Sequence, residues 1–428
     1  MGRTVTPNAP AVDDGSELLT SGDAQDVLAA AVRHRGGTLV SWKLDHVDAN
    51  PRRSTTATFH AVVDWPYGRR EELIGASARV EGRNRTDERA VIFGDGSREV
   101  AVWIYPDDPD LVGLPRAAYP DRFAALLTEL GTLGRPVSKD QVQLQVIGYR
   151  PRRRAVLKAT IAGPVSTRGQ STRGPSQSRP EVLYVKVLRE SSYAAVLGRH
   201  RLLLDAGLPS PPIAAATADQ LLVLRELPGR PLARALFDSV PPVGAEDLIG
   251  LLDAMPAAVS TLERHRPWAD AVDQYATMVA AALPEAESIL TAMVSAIRSG
   301  LGGIPLGNEP THGDFYEAQL FVRRGRVSGI LDIDTIGPGR RADDLACLVA
   351  HLATVQRMNA EQASRVQRLI DQWLPVFDRR VDPVELRLRA AAIAISLATG
   401  PYRGQEADWQ GETWQILRSA DQLIRSIS

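Results

Sequence analysis

A single cysteine, Cys347, in a chain of 428 residues excludes an internal disulfide framework and any cysteine metal cluster. Lysine is nearly as scarce. Of 50 basic residues, 46 are arginine and four are lysine (Lys43, Lys139, Lys158 and Lys186), with none after Lys186. The net charge of −1 provides no global field to draw in nucleic acid or an anionic membrane. Apolar stretches are short and broken by charge, so no transmembrane helix is expected. The opening "MGRTVTPNAPAVDDGSELL" lacks the continuous apolar core of a secretory signal. The expectation is a cytoplasmic protein that binds neither nucleic acid nor membrane.

What is present is ordinary in bulk, with 44% apolar and 24% charged residues, as in soluble globular proteins. The length exceeds what one hydrophobic core serves and suggests two or three domains. Residues 1–20 have little to bury and are expected to be a disordered tail. Residues 21–132 suggest a small α/β domain. Within it "AQDVLAAAVRHRG" and "PDRFAALLTELGTLG" have helical spacing, whereas "TTATFHAVVDW", "ELIGASARVEG" and "REVAVWIYP" have strand character. Residues 133–230 are rich in strands, among them "QVQLQVIGYRPRRRAVLKATIAG", "EVLYVKVLRE" and "DQLLVLRELPGRPL". They enclose the insert "PVSTRGQSTRGPSQSR", with its STRG repeat, which reads as a flexible hairpin tip. The helix "SYAAVLGRHRLLLDAGLP" ends at Gly207. Residues 231–428 are helical apart from 309–335.

Chemistry concentrates in "EPTHGDFYEAQLFV", 309–322, and "VSGILDIDTIGPGRRADDLACLVAHL", 327–352. Asp314 falls on a loop before the strand "LFV", with the amide of Gln319 five residues on. Asp332 and Asp334 end an apolar strand. A period of two puts both carboxylates on one side, where a cation fits; solvation of a strand end is the structural alternative. Asp344 opens a helix and most simply acts as an acid at its N-terminus. Lys186 lies in "VLYVKVL", either as a strand-edge lysine reaching water or as a compact ammonium where a guanidinium is too wide. Phosphoryl transfer from ATP needs such a cation, Mg²⁺ held by carboxylate and amide oxygens, and a carboxylate beside the attacking hydroxyl.

In this order and spacing, residues 140–428 resemble the aminoglycoside phosphotransferase and choline kinase-like superfamily. The actinobacterial glucosamine kinase and maltokinase branches share the glutamine at 319, a small N-terminal domain and a first strand like "YRPRRRAVLK". The resemblance implies an α+β, bilobal protein kinase-like fold, with a β-rich N-lobe, a helical C-lobe and an extra small N-terminal α/β domain. It implies that Asp314 orients or deprotonates the acceptor hydroxyl, that Gln319 and Asp332 ligate Mg²⁺, and that Lys186 holds the phosphates of ATP. In "LRELPG" the Arg225 carbonyl and the Leu227 N–H would pair with adenine, and His312 would brace the loop. The implied acceptor is a hydroxyl of a sugar, an aminosugar such as glucosamine, or an aminoglycoside. Glu317, and Glu406, Asp408 and Trp409 in "TGPYRGQEADWQGETW", are candidate acceptor contacts, with Asp334 a further candidate acid.

Two departures stand out. The helix after Lys186 has no glutamate to pair with it; Glu190 is expected before that helix and Asp205 near its end. The turn expected over the phosphates has only Gly148, and Arg152, Arg153 and Arg154 there either contact phosphate or form a solvated basic turn. Three rival functions stand beside the implied one. One is a kinase acting on protein, for which the long helical stretch 233–308 leaves little room for an activation segment after the metal-binding acid. "ILDIDTIG" fits the DxDxT start of haloacid dehalogenase-type phosphatases, but no lysine and too little chain follow it. A non-catalytic nucleotide-binding module has no need of Asp314 beside Gln319, Asp332 and Lys186.

Overall fold

The computed structural model describes residues 14–50, 54–80, 88–94, 98–163, 179–355 and 358–427. The STRG-bearing insert and the first thirteen residues of the tail lie outside the described residues. The chain divides into two units, the first of 1–192, 214–223 and 403–405, the second of 193–213, 224–402 and 406–428.

In the first unit, strands β1 (Thr38–Asn50), β2 (Ser54–Trp65), β3 (Gly68–Val80), β4 (Val91–Gly94) and β5 (Arg98–Ile104) form an antiparallel sheet in the order β1-β2-β3-β5-β4. Alternation along β2 points Ala57, Phe59, Ala61 and Val63 into one core. That face is covered by helices α1 (Ser16–Thr20) and α2 (Ala24–His34). Along α2, Ala24, Leu28, Ala31 and Val32 recur at helical spacing and are buried. The last residues of the expected tail are therefore ordered, with Leu19 of α1 fully buried.

Helices α3 (Leu114–Ala118) and α4 (Pro120–Glu129) follow. The sequence groups them with the first sheet, yet Leu114, Phe123, Leu126 and Leu127 share a core with a second sheet. That sheet comprises β6 (Val142–Arg150), β7 (Arg154–Ile161), β8 (Glu181–Leu188), β9 (Ile213–Ala216) and β10 (Leu221–Arg225), ordered β6-β7-β8-β10-β9. Ala155, Leu157, Ala159 and Ile161 of β7 alternate inward.

The second unit takes most of helix α5 (Glu190–Asp205), whose first residue is Glu190 rather than a residue beyond it. Strands β11 (Arg230–Pro231), β13 (Leu320–Arg323) and β14 (Arg326–Ile330) make a small sheet, and β12 (Glu309–Thr311) pairs with β15 (Gly337–Gly339). The rest is helical: α6 (Leu232–Ala235), α7 (Ala245–Asp253), α8 (Val272–Ala282), α9 (Glu287–Leu301), α10 (Arg341–Ala353), α11 (Ala360–Arg380), α12 (Pro383–Leu397), α13 (Gly400–Arg403) and α14 (Trp409–Arg425). Helix α12 carries "AAAIAIS" and is buried on nearly every side, as its apolar circumference requires. Among the described residues no helix is long and apolar enough to cross a membrane. The fold is thus mixed α+β, sheet-rich first and helical after, as expected.

One glycine contact in the first sheet is steric. A Cβ on Gly75 would lie 2.4 Å from the Trp103 ring, which is itself almost fully buried. Gly75→Ala is expected to lower stability by about 1–3 kcal/mol through overpacking, read as a lower urea midpoint at unchanged m-value.

Candidate active site

Two strand pairings decide which loops meet. β12 and β15 pair in the register Thr311↔Gly337, and β13 pairs with β14 in the register Leu320↔Ile330. The loop 312–319 therefore starts and ends beside the loop 331–336. Asp314 and Gln319 belong to the first loop, Asp332 and Asp334 to the second. The Leu331 N–H donates to the Gln319 carbonyl at 2.7 Å, and the Thr335 hydroxyl donates to the His312 carbonyl at 2.9 Å.

His312, fully buried, ties the two loops together through its ring. The Asp314 N–H donates to Nδ1 at 3.3 Å, so the ring hydrogen is on Nε2, which donates to the Leu331 carbonyl at 2.9 Å. Burial holds this imidazole below its ordinary pKa, in the neutral form that these bonds require.

Beneath the loop lies Asp344 of α10. Its Oδ2 accepts from the His312 N–H at 2.9 Å and its Oδ1 from the Gly313 N–H at 2.8 Å. The acid stands in the first turn of its helix, as expected, and from there caps the loop before Asp314. Burial pushes its carboxyl up to about 7, against the pull of those two N–H donors and of Arg341. A left-handed bend at Gly313, φ 81°, lets the loop pass over Thr335, whose carbonyl a Cβ there would meet at 2.8 Å.

The two acids expected on one strand face are arranged differently. β14 ends at Ile330; Asp332 sits in the left-handed region at φ 50°, ψ 49°, and Asp334 lies in the 3-10 turn Ile333–Thr335. A period of two does not apply across such a bend. Left-handed backbone is tolerated better by aspartate than by most residues, and strain of this kind collects at functional sites. Asp314, Glu317 and Asp332 all raise the Tyr316 hydroxyl's pKa through their charge, after burial, so the two loops gather their acids around one ring. Cys347 of α10 lies 4.0 Å from Asp314 Oδ1. Glu317 Oε2 is buried without a hydrogen-bond partner, and burial, with Asp314 adding to it, pushes this carboxyl up to about 7. Gln319 is buried.

Other candidates lie elsewhere. Lys186 is on β8 of the first unit and 8% exposed. Arg225 ends β10, its N–H donating to the Pro212 carbonyl at 2.9 Å, and the Leu227 side chain packs against Gly329 of β14. Glu406, Asp408 and Trp409 sit at the α13–α14 corner. Asp408 caps α14 by accepting from the Gly411 N–H, and Trp409 packs edge-on to Tyr402 with ring centroids 5.2 Å apart.

Two residues near these loops carry no local signal in the sequence. Arg199 of α5 is buried; its Nε donates to the Ile336 carbonyl at 3.3 Å, and one terminal nitrogen pairs with His265 Nε2 at 3.2 Å. Trp268 is 36% exposed, and its Nε1 donates to the Gly313 carbonyl at 3.1 Å. It lines a pocket with His265, Thr311, Gly313, Thr335 and Gly337.

A sheet-rich unit whose sheet runs β6-β7-β8-β10-β9, and a helical unit with acid and amide on adjoining loops, define a kinase-like small-molecule phosphotransferase. Residues 173–382 match the model of the phosphotransferase enzyme family. No curated protein matches the chain. Solved structures similar to it include a thermostable mutant of aminoglycoside phosphotransferase APH(4)-Ia, at 15% identity and TM-score 0.45, covering 71% of this chain and 98% of that one. A choline/ethanolamine kinase family protein from Mesorhizobium loti is 17% identical, with TM-score 0.42, covering 61% and 88%. Macrolide 2′-phosphotransferase MphH from Brachybacterium faecium is 19% identical, with TM-score 0.39, covering 68% and 97%.

Asp344→Ala strands two buried N–H groups at the start of the loop. A loss of about 2–5 kcal/mol in unfolding free energy is expected, measured by denaturant titration.

Proposed function

We propose that this protein is an ATP- and Mg²⁺-dependent O-phosphotransferase acting on a hydroxyl of a sugar, an aminosugar such as glucosamine, or an aminoglycoside. The observation that carries the reading is the joint bracing of two loops. His312 and Thr335 tie the Asp314 loop to the Asp332 loop, and Asp344 fixes the backbone on which Asp314 stands. Such bracing supports a carboxylate that must keep one orientation through a reaction.

In the proposed reaction the acceptor oxygen attacks the γ-phosphorus, the bond to the β-bridging oxygen breaks, and ADP leaves. Asp314 orients the acceptor hydroxyl and takes its proton. Gln319 and Asp332 would hold Mg²⁺. Amide and carboxylate oxygens are the hard donors this ion prefers, and its sites use one or two carboxylates with substrate phosphates rather than a full protein cage. When bound, the ion supplies charge neutralisation at the phosphates. Lys186 is assigned to the nucleotide phosphates, and the backbone of Arg225 and Leu227 to adenine.

Glu317 supports an acceptor that brings a cation, since its buried Oε2 lacks a partner and its electrostatic neighbour is Asp314. Asp408, with its carboxylate on a helix cap, is the weaker of the acceptor candidates.

The test is ATP consumption against a panel of sugars, aminosugars and aminoglycosides, repeated with Asp314→Ala. Acceptor-dependent turnover is expected to fall by at least about 10²–10⁴-fold while ATP binding is kept. Absence of acceptor-dependent turnover across the panel, or a fully active Asp314→Ala protein, would sink the reading.

A further inference from the structure

The turn between β6 and β7 runs Arg150-Pro151-Arg152-Arg153-Arg154. In the phosphotransfer reading, on which the inference rests, it is the turn over the nucleotide phosphates. Such a turn needs a backbone path held in a defined shape, and glycine is the usual means of reaching the tight conformations involved. Here the last glycine before it is Gly148, and Arg152 adopts φ 61°, a left-handed conformation that arginine rarely takes unaided.

The turn is held from outside its own sheet. Asp108, in the loop after β5, is fully buried. Its Oδ2 accepts from the Arg152 N–H at 2.7 Å and from the Tyr149 hydroxyl at 2.8 Å, and its Oδ1 accepts from the Asp110 N–H at 2.9 Å. Trp103 Nε1, at the end of β5, donates to the Tyr149 hydroxyl at 2.6 Å. The Arg152 guanidinium lies 5.6 Å from the Trp103 ring centroid, with Nε 3.3 Å from Asp110. Arg153 pairs with Asp48 of β1 at 3.0 Å.

Neither sequence-based alternative for these arginines holds for Arg152. Arg152 is buried and committed to Trp103 and Asp110, so it is neither part of a solvated turn nor a spare phosphate ligand, whereas Arg153 pairs with Asp48 at the surface with its side chain more than half exposed. What the network leaves determined is backbone shape. A carboxylate accepting several hydrogen bonds in a dry site is among the stronger restraints a protein can place on a peptide N–H.

We propose that Asp108 is a positioning residue for the nucleotide. Through it the small domain preceding the kinase-like sheet sets the conformation of the β6–β7 turn, in the role glycine flexibility has elsewhere. Preorganised backbone lowers the ordering cost of binding, so the effect belongs to nucleotide affinity rather than to the chemical step.

The test uses the full chain and two variants, Asp108→Asn and the milder Tyr149→Phe, with Asp45→Ala as a surface control. For Asp108→Asn, the KM for ATP is expected to rise by about ten-fold or more, with kcat at saturating ATP and the acceptor KM within about two-fold of wild type. Tyr149→Phe is expected to move the same parameter less, and hydrogen exchange in 148–154 to quicken in both. A contribution to folding alone would lower Tm and leave the ATP KM in place. The inference is overturned if folded Asp108→Asn keeps the wild-type ATP KM despite faster exchange in the turn. If that variant does not fold, an unchanged ATP KM in Tyr149→Phe overturns it. Failure of the phosphotransfer reading is seen separately, as a wild-type protein that neither binds nor consumes ATP.

Discussion

One buried carboxylate orders the reactive part of this molecule. Asp344 takes the N–H groups of His312 and Gly313, one on each oxygen, and so fixes the peptide planes from which Asp314 projects. The helix that carries it is itself locked. Arg389 donates to Glu385 at 2.7 Å and to Asp343 at 2.6 Å, Arg340 forks onto the same Glu385, and Arg341 donates to the Leu252 carbonyl at 3.0 Å. Breaking any such pair leaves a charge without its partner in a dry place, which costs far more than an exposed pair would. Position is thereby handed from α12 to α10 and from α10 to the loop.

The arginine bias of the composition acquires a physical meaning in these contacts. Arg199, Arg340, Arg341 and Arg389 each divide their donors between carbonyl or carboxylate oxygens or a ring nitrogen on different elements. A planar fork can do this and an ammonium cannot. Of the four lysines, Lys186 on β8 is the one that is buried.

Much of this was legible in the chain. The offsets from Asp314 to Gln319, and from Asp332 to Asp344, survive as geometry because paired strands bracket both loops. The strand character of "TTATFHAVVDW" announced β2, and that of "QVQLQVIGYRPRRRAVLKATIAG" announced β6 and β7. What was not legible depended on distant partners. Nothing near Asp332 signals that the strand stops at Ile330 and the backbone turns left-handed. Arg199 and Trp268 matter through contacts 137 and 45 residues away along the chain. The packing of α3 and α4 on the second sheet likewise reflects which core had room, a tertiary choice that local periodicity does not encode.

The His312 ring carries one more implication. With Nδ1 occupied as an acceptor and Nε2 as a donor, it has no place to take a second proton without turning an attraction at Asp314 into a repulsion. Its depressed pKa means that an unfolded chain binds that proton first, so acidification below the ordinary histidine range draws free energy out of the native state. Acidification is thus expected to weaken the fold at the ring that ties the Asp314 loop to the Asp332 loop.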